Sequence, residues 1–221
     1  NLRSLFNYLV EMDYLSRNPF KAVQRQLKQN EWEQEQRWII GNRILGLEEW
    51  QAVQDALNEF PQSNLRECQE KMRLKFLIAL LFFAGLRVQE LTSHTMAAFK
   101  KVFDQRRQKD RWWLVIKGKG DKFRKIPVNQ SLLEALNNYR RALGLADFPN
   151  AGETEPLVRS FRKNQSITAS RINQLLKALC HQAAVKLEKG EPEKALKLRK
   201  VSAHWFRHLS FSMQDLVDIK K

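Results

Sequence analysis

Residues 76–91, FLIALLFFAGLRVQEL, constrain this chain more than any other stretch. The segment from Phe76 to Ala84 carries no polar side chain. A helix that is apolar on every face has to be buried on every face, so this segment predicts a central helix with other elements packed around it. Its upstream half, CQEKMRLK, is amphipathic, and Asn64 with Glu67 three positions on makes a capping-box start. Gly85 predicts a left-handed C-cap, and Arg87 and Glu90 follow directly. A guanidinium at that place is held relative to the core. Two roles for it remain open. Its planar fork suits two phosphate oxygens at once, and it equally suits helix carbonyls or an ion pair with Glu90.

Charge narrows the partner. Lysine and arginine total 39 against 24 acidic residues, giving a net +15 and a pI of about 10.0. Such a chain calls for a polyanion, either nucleic acid or an anionic membrane. The longest apolar run, 76–86, falls short of the roughly 18–20 residues that span a bilayer, and no secretory signal pattern is legible. Cys68 and Cys180 are too few for a disulfide framework and fit a reducing compartment. The expected partner is nucleic acid, without a membrane, in the cytoplasm.

Read in order, residues 1–23 predict a helix followed by a turn, with Leu2, Leu5, Phe6, Leu9 and Val10 at helical spacing and Ser16-Arg17-Asn18-Pro19 stopping the pattern. Residues 24–43 turn polar without an apolar period and predict a linker, whose Arg25 and Lys28 could follow a phosphate backbone. From 44 onward the pattern is that of one domain. Leu47, Trp50, Val53, Leu57 and Phe60 set an amphipathic helix with Glu48 and Glu49 in its first turn. Beyond residue 91 the period changes to two. Residues 112–117 and 124–128 predict a hairpin about Gly118-Lys119-Gly120-Asp121, with 97–103 a possible third strand. The glycines let the backbone approach a ligand closely, while Lys119 by itself reads as a solvated charge. Helices resume over 131–143 and 167–185, the latter with Ile172, Leu175, Leu176, Leu179 and Cys180 on its apolar face. A loop at 145–156 and a short buried strand at Leu157-Val158 separate them. Residues 186–200, charged and carrying Gly190 and Pro192, read as a surface loop. The fold class is α+β, mainly helical, with a small antiparallel sheet of two to three strands.

One explanation has to cover Arg87, Lys119, and His204 with Arg207. At three residues apart, His204 and Arg207 share a helix face. Two arginines, a lysine and a histidine without a metal-ligand cluster suit phosphoryl transfer. Guanidinium groups stabilise charge developing on phosphate oxygens, and lysine or histidine can deliver a proton to a leaving alkoxide.

The segments AGLRVQEL, VIKGKGDKFRKIPV and HWFRH, in this order and at about this separation, resemble those of tyrosine recombinases of the phage integrase family. The resemblance runs from about Ile44 to the end, and LRSLFNYLVEMDYLSRNPF resembles the last helix of that family's N-terminal core-binding domain. It implies that Arg87 and Arg207 clamp the scissile phosphate, that Glu90 supports Arg87, that Lys119 is general acid toward the leaving 5′ oxygen, and that His204 assists proton transfer. Lys117, Lys122, Arg124 and Arg171 are the candidate DNA contacts, with Ser170 and Asn173 beside the last. No metal or cofactor is implied. The partner is double-stranded DNA, bound in the complete protein as a homotetramer on paired sites, and the reaction passes through a 3′-phosphotyrosyl intermediate.

The family's nucleophilic tyrosine lies downstream of its second arginine. The tyrosines of this chain are Tyr8, Tyr14 and Tyr139, all upstream. The expectation is therefore a catalytic domain at 44–221 that stops short of its C-terminal end, a remnant of a helical domain at 1–23, and a monomer inactive in cleavage. Ala203 stands where the family commonly has proline. His208, Trp205 and Phe206 are expected to be structural. Two alternatives stand beside this reading: a duplex-DNA-binding module without chemistry, and an enzyme resembling a type IB topoisomerase.

Overall fold

The computed structural model describes residues 2–19, 45–105, 108–161 and 165–209, without the side chains of residues 2–4 and 119. The linker expected at 24–43 and the segment after 209 lie outside the described residues. The chain divides into two compact units, Asn1–Arg43 and Ile44–Lys221.

In the first unit, helix α1 (Leu2–Glu11) is shorter than the expectation. It stops before the Ser-Arg-Asn-Pro signal because Asp13 adopts a left-handed conformation, φ 56°, and turns the chain. Asn18 is buried and donates from Nδ2 to Asn7 Oδ1 at 2.6 Å, tying the turn back to the helix.

The second unit is built around the apolar helix. Helix α2 spans Leu47–Asn58 and α3 spans Leu65–Phe82. The Asn64 side chain caps α3 by accepting from the Glu67 N–H at 2.9 Å, and Glu67 reaches back to the Ser63 N–H. Phe76 to Leu81 are buried without exception, whereas Phe82 and Phe83 are only partly buried, so the last turn is less enclosed than the pattern implies. In α2 the buried face is Ala52, Val53, Ala56 and Leu57, while Leu47 is exposed.

A short helix α4 (Val88–Ser93) precedes a 3-10 turn, Met96–Ala98, and a three-stranded antiparallel sheet of order β1-β2-β3. The strands are β1 (Phe99–Asp104), β2 (Lys109–Lys117) and β3 (Phe123–Pro127). The turn delays β1 by two residues relative to the expected start at 97. Leu114 and Ile116 face the core and are fully buried; Trp113 and Val115 alternate to the other face. Helix α5 (Gln130–Ala142), capped by Asn129, packs on α3, with Tyr139 stacked on Phe76 at 5.0 Å.

Leu157 and Val158 are buried, but among the described residues they form no strand; isolated bridges, Thr95 to Pro156 and Arg159 to Ser166, flank them. Helix α6 (Ala169–Leu187) carries the expected apolar face and packs on α2 and on α7 (Pro192–Arg199). That last helix corrects the surface loop expected at 186–200. Pro192 sits in its first turn, where a missing N–H costs nothing, and Ala195 and Leu198 supply a small buried face amid the charges. A further helix, α8, runs through 203–209, with Phe206 buried and Trp205 half buried. Among the described residues no helix is long and apolar enough to cross a membrane.

Candidate functional site

The end of α3 positions the site. Gly85 takes φ 55°, a conformation that penalises any side chain, and the Leu86 N–H reaches back to the Leu80 carbonyl at 3.2 Å. Leu86 is buried, so the next residue, Arg87, leaves the core at a defined point. Arg87 is the N-cap of α4. Arginine has no acceptor, so only the carboxylate half of a capping box forms: the Arg87 N–H donates to Glu90 Oε2 at 2.7 Å.

Glu90 is the hub. Its side chain is 6% exposed, and it receives Arg87 Nη1 on Oε1 at 3.1 Å and Arg124 Nη2 on Oε2 at 2.7 Å. Arg207 Nη1 lies 3.9 Å from Oε2 and donates to the Gly85 carbonyl. Among the described residues, three guanidinium groups thus face this one carboxylate. Burial, then the charges of Arg87 and Arg124, lower the Arg207 pKa from its ordinary value, with Glu90 opposing them. An anion set among these groups would relieve the repulsion.

A cavity of about 260 Å³ opens beside the hub, lined by Leu86, Arg87, Val88, Gln89, Ala203, His204 and Arg207. Arg87 takes the ion-pair role that the sequence left open. It pairs with Glu90, and its side chain, 54% exposed, faces the same cavity as Arg207. His204 is exposed on α8, with its Nε2 2.8 Å from His208 Nε2. One ring of that pair donates and the other accepts, so the tautomers of His204 and His208 are linked. Sequence reading treated His208 as structural; its four-residue spacing from His204 was the signal that the two rings meet.

The hairpin stands next to this cluster. Gly118 N–H donates to the Lys122 carbonyl at 2.9 Å, and a Cβ on Gly118 would lie 3.7 Å from Glu90 Oε1. Lys119 opens the tip, a 3-10 turn with Gly120 at φ 74°; its side chain lies outside the described part. Lys117 and Lys122 are exposed, and Lys117 pairs with Asp121 at 3.0 Å. Arg124, expected as a DNA contact, pairs with Glu90. Arg171 belongs to another place. It pairs with Glu70 at 3.0 Å and lines a second cavity with Arg66, Arg73 and Thr168.

Tyr139 is fully buried and its hydroxyl accepts from the Arg159 N–H at 2.9 Å. Desolvation pushes its pKa up to about 12. Another residue that sequence reading passed over is His94, whose ring bonds both α4 and the hairpin.

No family model matches the chain. By sequence it is 35% identical over 105 residues to the tyrosine recombinase XerD of Agrobacterium fabrum, an overlap covering 46% of this chain and 27% of that one. It is 34% identical over 121 residues to the tyrosine recombinase XerC of Erythrobacter litoralis, covering 55% and 34%. The matches span about a third of the length of these relatives. Among solved structures it is similar to the XerH site-specific recombinase bound to its difH substrate in a pre-cleavage complex, with a TM-score of 0.55 at 18% identity over 79% of this chain and 43% of the other. The post-cleavage complex on palindromic difH gives 0.57 at 18%, over 80% and 43%. At that identity the likeness is one of fold.

Proposed function

We propose that this chain, which carries a tyrosine recombinase family domain, grips duplex DNA and supplies the phosphate-activating half of a site-specific cut-and-rejoin reaction. The observation that carries the proposal is the shared cavity. Arg87 and the His204–Arg207 pair, more than a hundred residues apart in sequence, line it together. Arg87 and Arg207 donate to non-bridging oxygens of the scissile phosphate, where they hold charge that grows in the transition state. Glu90 keeps Arg87 and Arg124 oriented. Lys119 passes a proton to the departing 5′ oxygen and His204 assists.

In the complete protein a tyrosine oxygen bonds to phosphorus as the bond from phosphorus to the 5′ oxygen breaks, and the 5′ hydroxyl of a second strand reverses the step. Lys117, Lys122 and Arg171 follow the backbone, as the net charge of +15 favours. Assembly as a homotetramer on paired sites, and a cytoplasmic location with the DNA, belong to the same reading.

The test uses the protein of full natural length and a nicked duplex selected from a random pool for tight binding. A denaturant-resistant covalent adduct should form and should vanish in Arg207→Ala. Salt-sensitive binding with no adduct would overturn the catalytic part and leave a DNA-binding module.

A further inference from the structure

We infer that His94 is a positioning residue that sets the hairpin carrying Lys119 against the helix carrying Glu90; this rests on the reading of Lys119 as proton donor. His94 ends α4 as its C-cap. Its main chain is pinned from one side, because its carbonyl accepts from the Leu157 N–H at 2.9 Å. Its ring works on the other side. Nδ1 lies 2.9 Å from the Glu90 carbonyl, and Nε2 lies 2.9 Å from the Lys117 N–H.

The partners dictate the protonation state. A carbonyl can only accept, so Nδ1 carries the hydrogen. A backbone N–H can only donate, so Nε2 presents a lone pair. One neutral tautomer satisfies both bonds, and the Ser93 hydroxyl, 3.1 Å from Nδ1, can adjust to it.

The Lys117 N–H needs such a partner. Strand β1 pairs with β2 only as far as Phe99 opposite Leu114, whereas β2 continues to Lys117 opposite Phe123. Past Leu114 the flank of β2 has lost its neighbouring strand, and the His94 ring supplies the missing acceptor. Lys117 is two residues before Lys119, and Gly118 already lies against Glu90. The ring therefore fixes the base of the turn that presents the proton donor. A catalytic group loses much of its effect when displaced by an ångström, so the tie bears on rate rather than on binding.

The test compares two nicked duplexes, one natural and one with sulfur in place of the bridging 5′ oxygen. Sulfur leaves as a stable thiolate when the tyrosine oxygen bonds to phosphorus, so that step needs no proton donor. In the full-length protein, His94→Leu should slow cleavage of the oxygen substrate by on the order of tenfold or more and leave the sulfur substrate near the wild-type rate. His94→Gln, which keeps a donor and an acceptor, should recover most of the loss. Equal slowing on both substrates, or no slowing on either, would overturn the assignment. If the wild type cleaves neither duplex, the catalytic reading itself falls and the assignment with it. In the present chain, ¹⁵N NMR should find His94 Nε2 unprotonated and coupled to the Lys117 N–H; a protonated Nε2 would refute the bonding pattern.

Discussion

Replacing Glu90 by glutamine removes one negative charge and little volume, and its effect can be worked from the site. The pair with Arg87 is worth little, because that guanidinium is 54% exposed. Arg124 is 33% exposed and at 2.7 Å, so its charge-assisted bond, discounted for solvent, contributes about 1–2 kcal/mol. Arg207 is 12% exposed and keeps its bond to the Gly85 carbonyl, but it loses the negative charge of Glu90 that offsets Arg87 and Arg124. The glutamine oxygen can serve either the Arg87 N–H or Arg124, and its amide nitrogen then points at a cation. Together these effects come to about 2–4 kcal/mol, below the full cost of breaking a buried pair. For a unit of this size that is a fall in Tm of roughly 5–15 °C.

Thermal unfolding at low ionic strength, with and without sulfate, reads it. Sulfate strengthens apolar burial in both proteins, so the comparison is between them. At ten times its Kd, an anion in the cluster returns about 1.4 kcal/mol, and the variant should gain more than the wild type. A Tm within about a degree of wild type, or equal gains from sulfate, would refute the account of Glu90 as the counter-charge of the site.

Two further outcomes concern the scaffold. Arg140 is 2% exposed and bonds the Ala146 and Phe148 carbonyls and both oxygens of Glu153, closing the loop after α5; Arg140→Met should cost about 3–5 kcal/mol in urea unfolding, and a loss under 1 kcal/mol would contradict the clamp. Burial raises the Cys180 thiol from 9.0 to about 12 and the Tyr139 phenol from 10.0 to about 12. Both groups hold their protons more tightly folded than unfolded, so stability present below pH 9 is lost as pH rises through about 9–12, by on the order of 4 kcal/mol for the thiol. Cys180→Ala should flatten that decline, and an unchanged slope would refute it.

The sequence made the central helix legible because an unbroken apolar run at helical length has one physical outcome. Gly85 and Arg87 were legible for a related reason: a glycine at the end of such a run has a conformational job. The α7 helix was not, since Ala195, Leu196 and Leu198 among eight residues, with Leu196 exposed, carry too weak a period, and Pro192 reads as a breaker unless its place in the first turn is known. Nor was the hub. That Arg124 turns to Glu90, thirty-four residues away, follows from strand register and not from local spacing. His94 was hidden for the same reason, because its partner amide is defined by where β1 ends.

The central claim is that Arg87 and Arg207 grip one backbone phosphate. Neutralising the phosphates of a bound duplex one at a time, as methylphosphonates, measures it directly in this chain. At one position the wild type should lose affinity tenfold to a hundredfold, the range of about 1.5–3 kcal/mol for a charged hydrogen bond, and Arg87→Ala/Arg207→Ala should lose almost nothing further at that position. A penalty of the same size in both proteins at every position would contradict the claim.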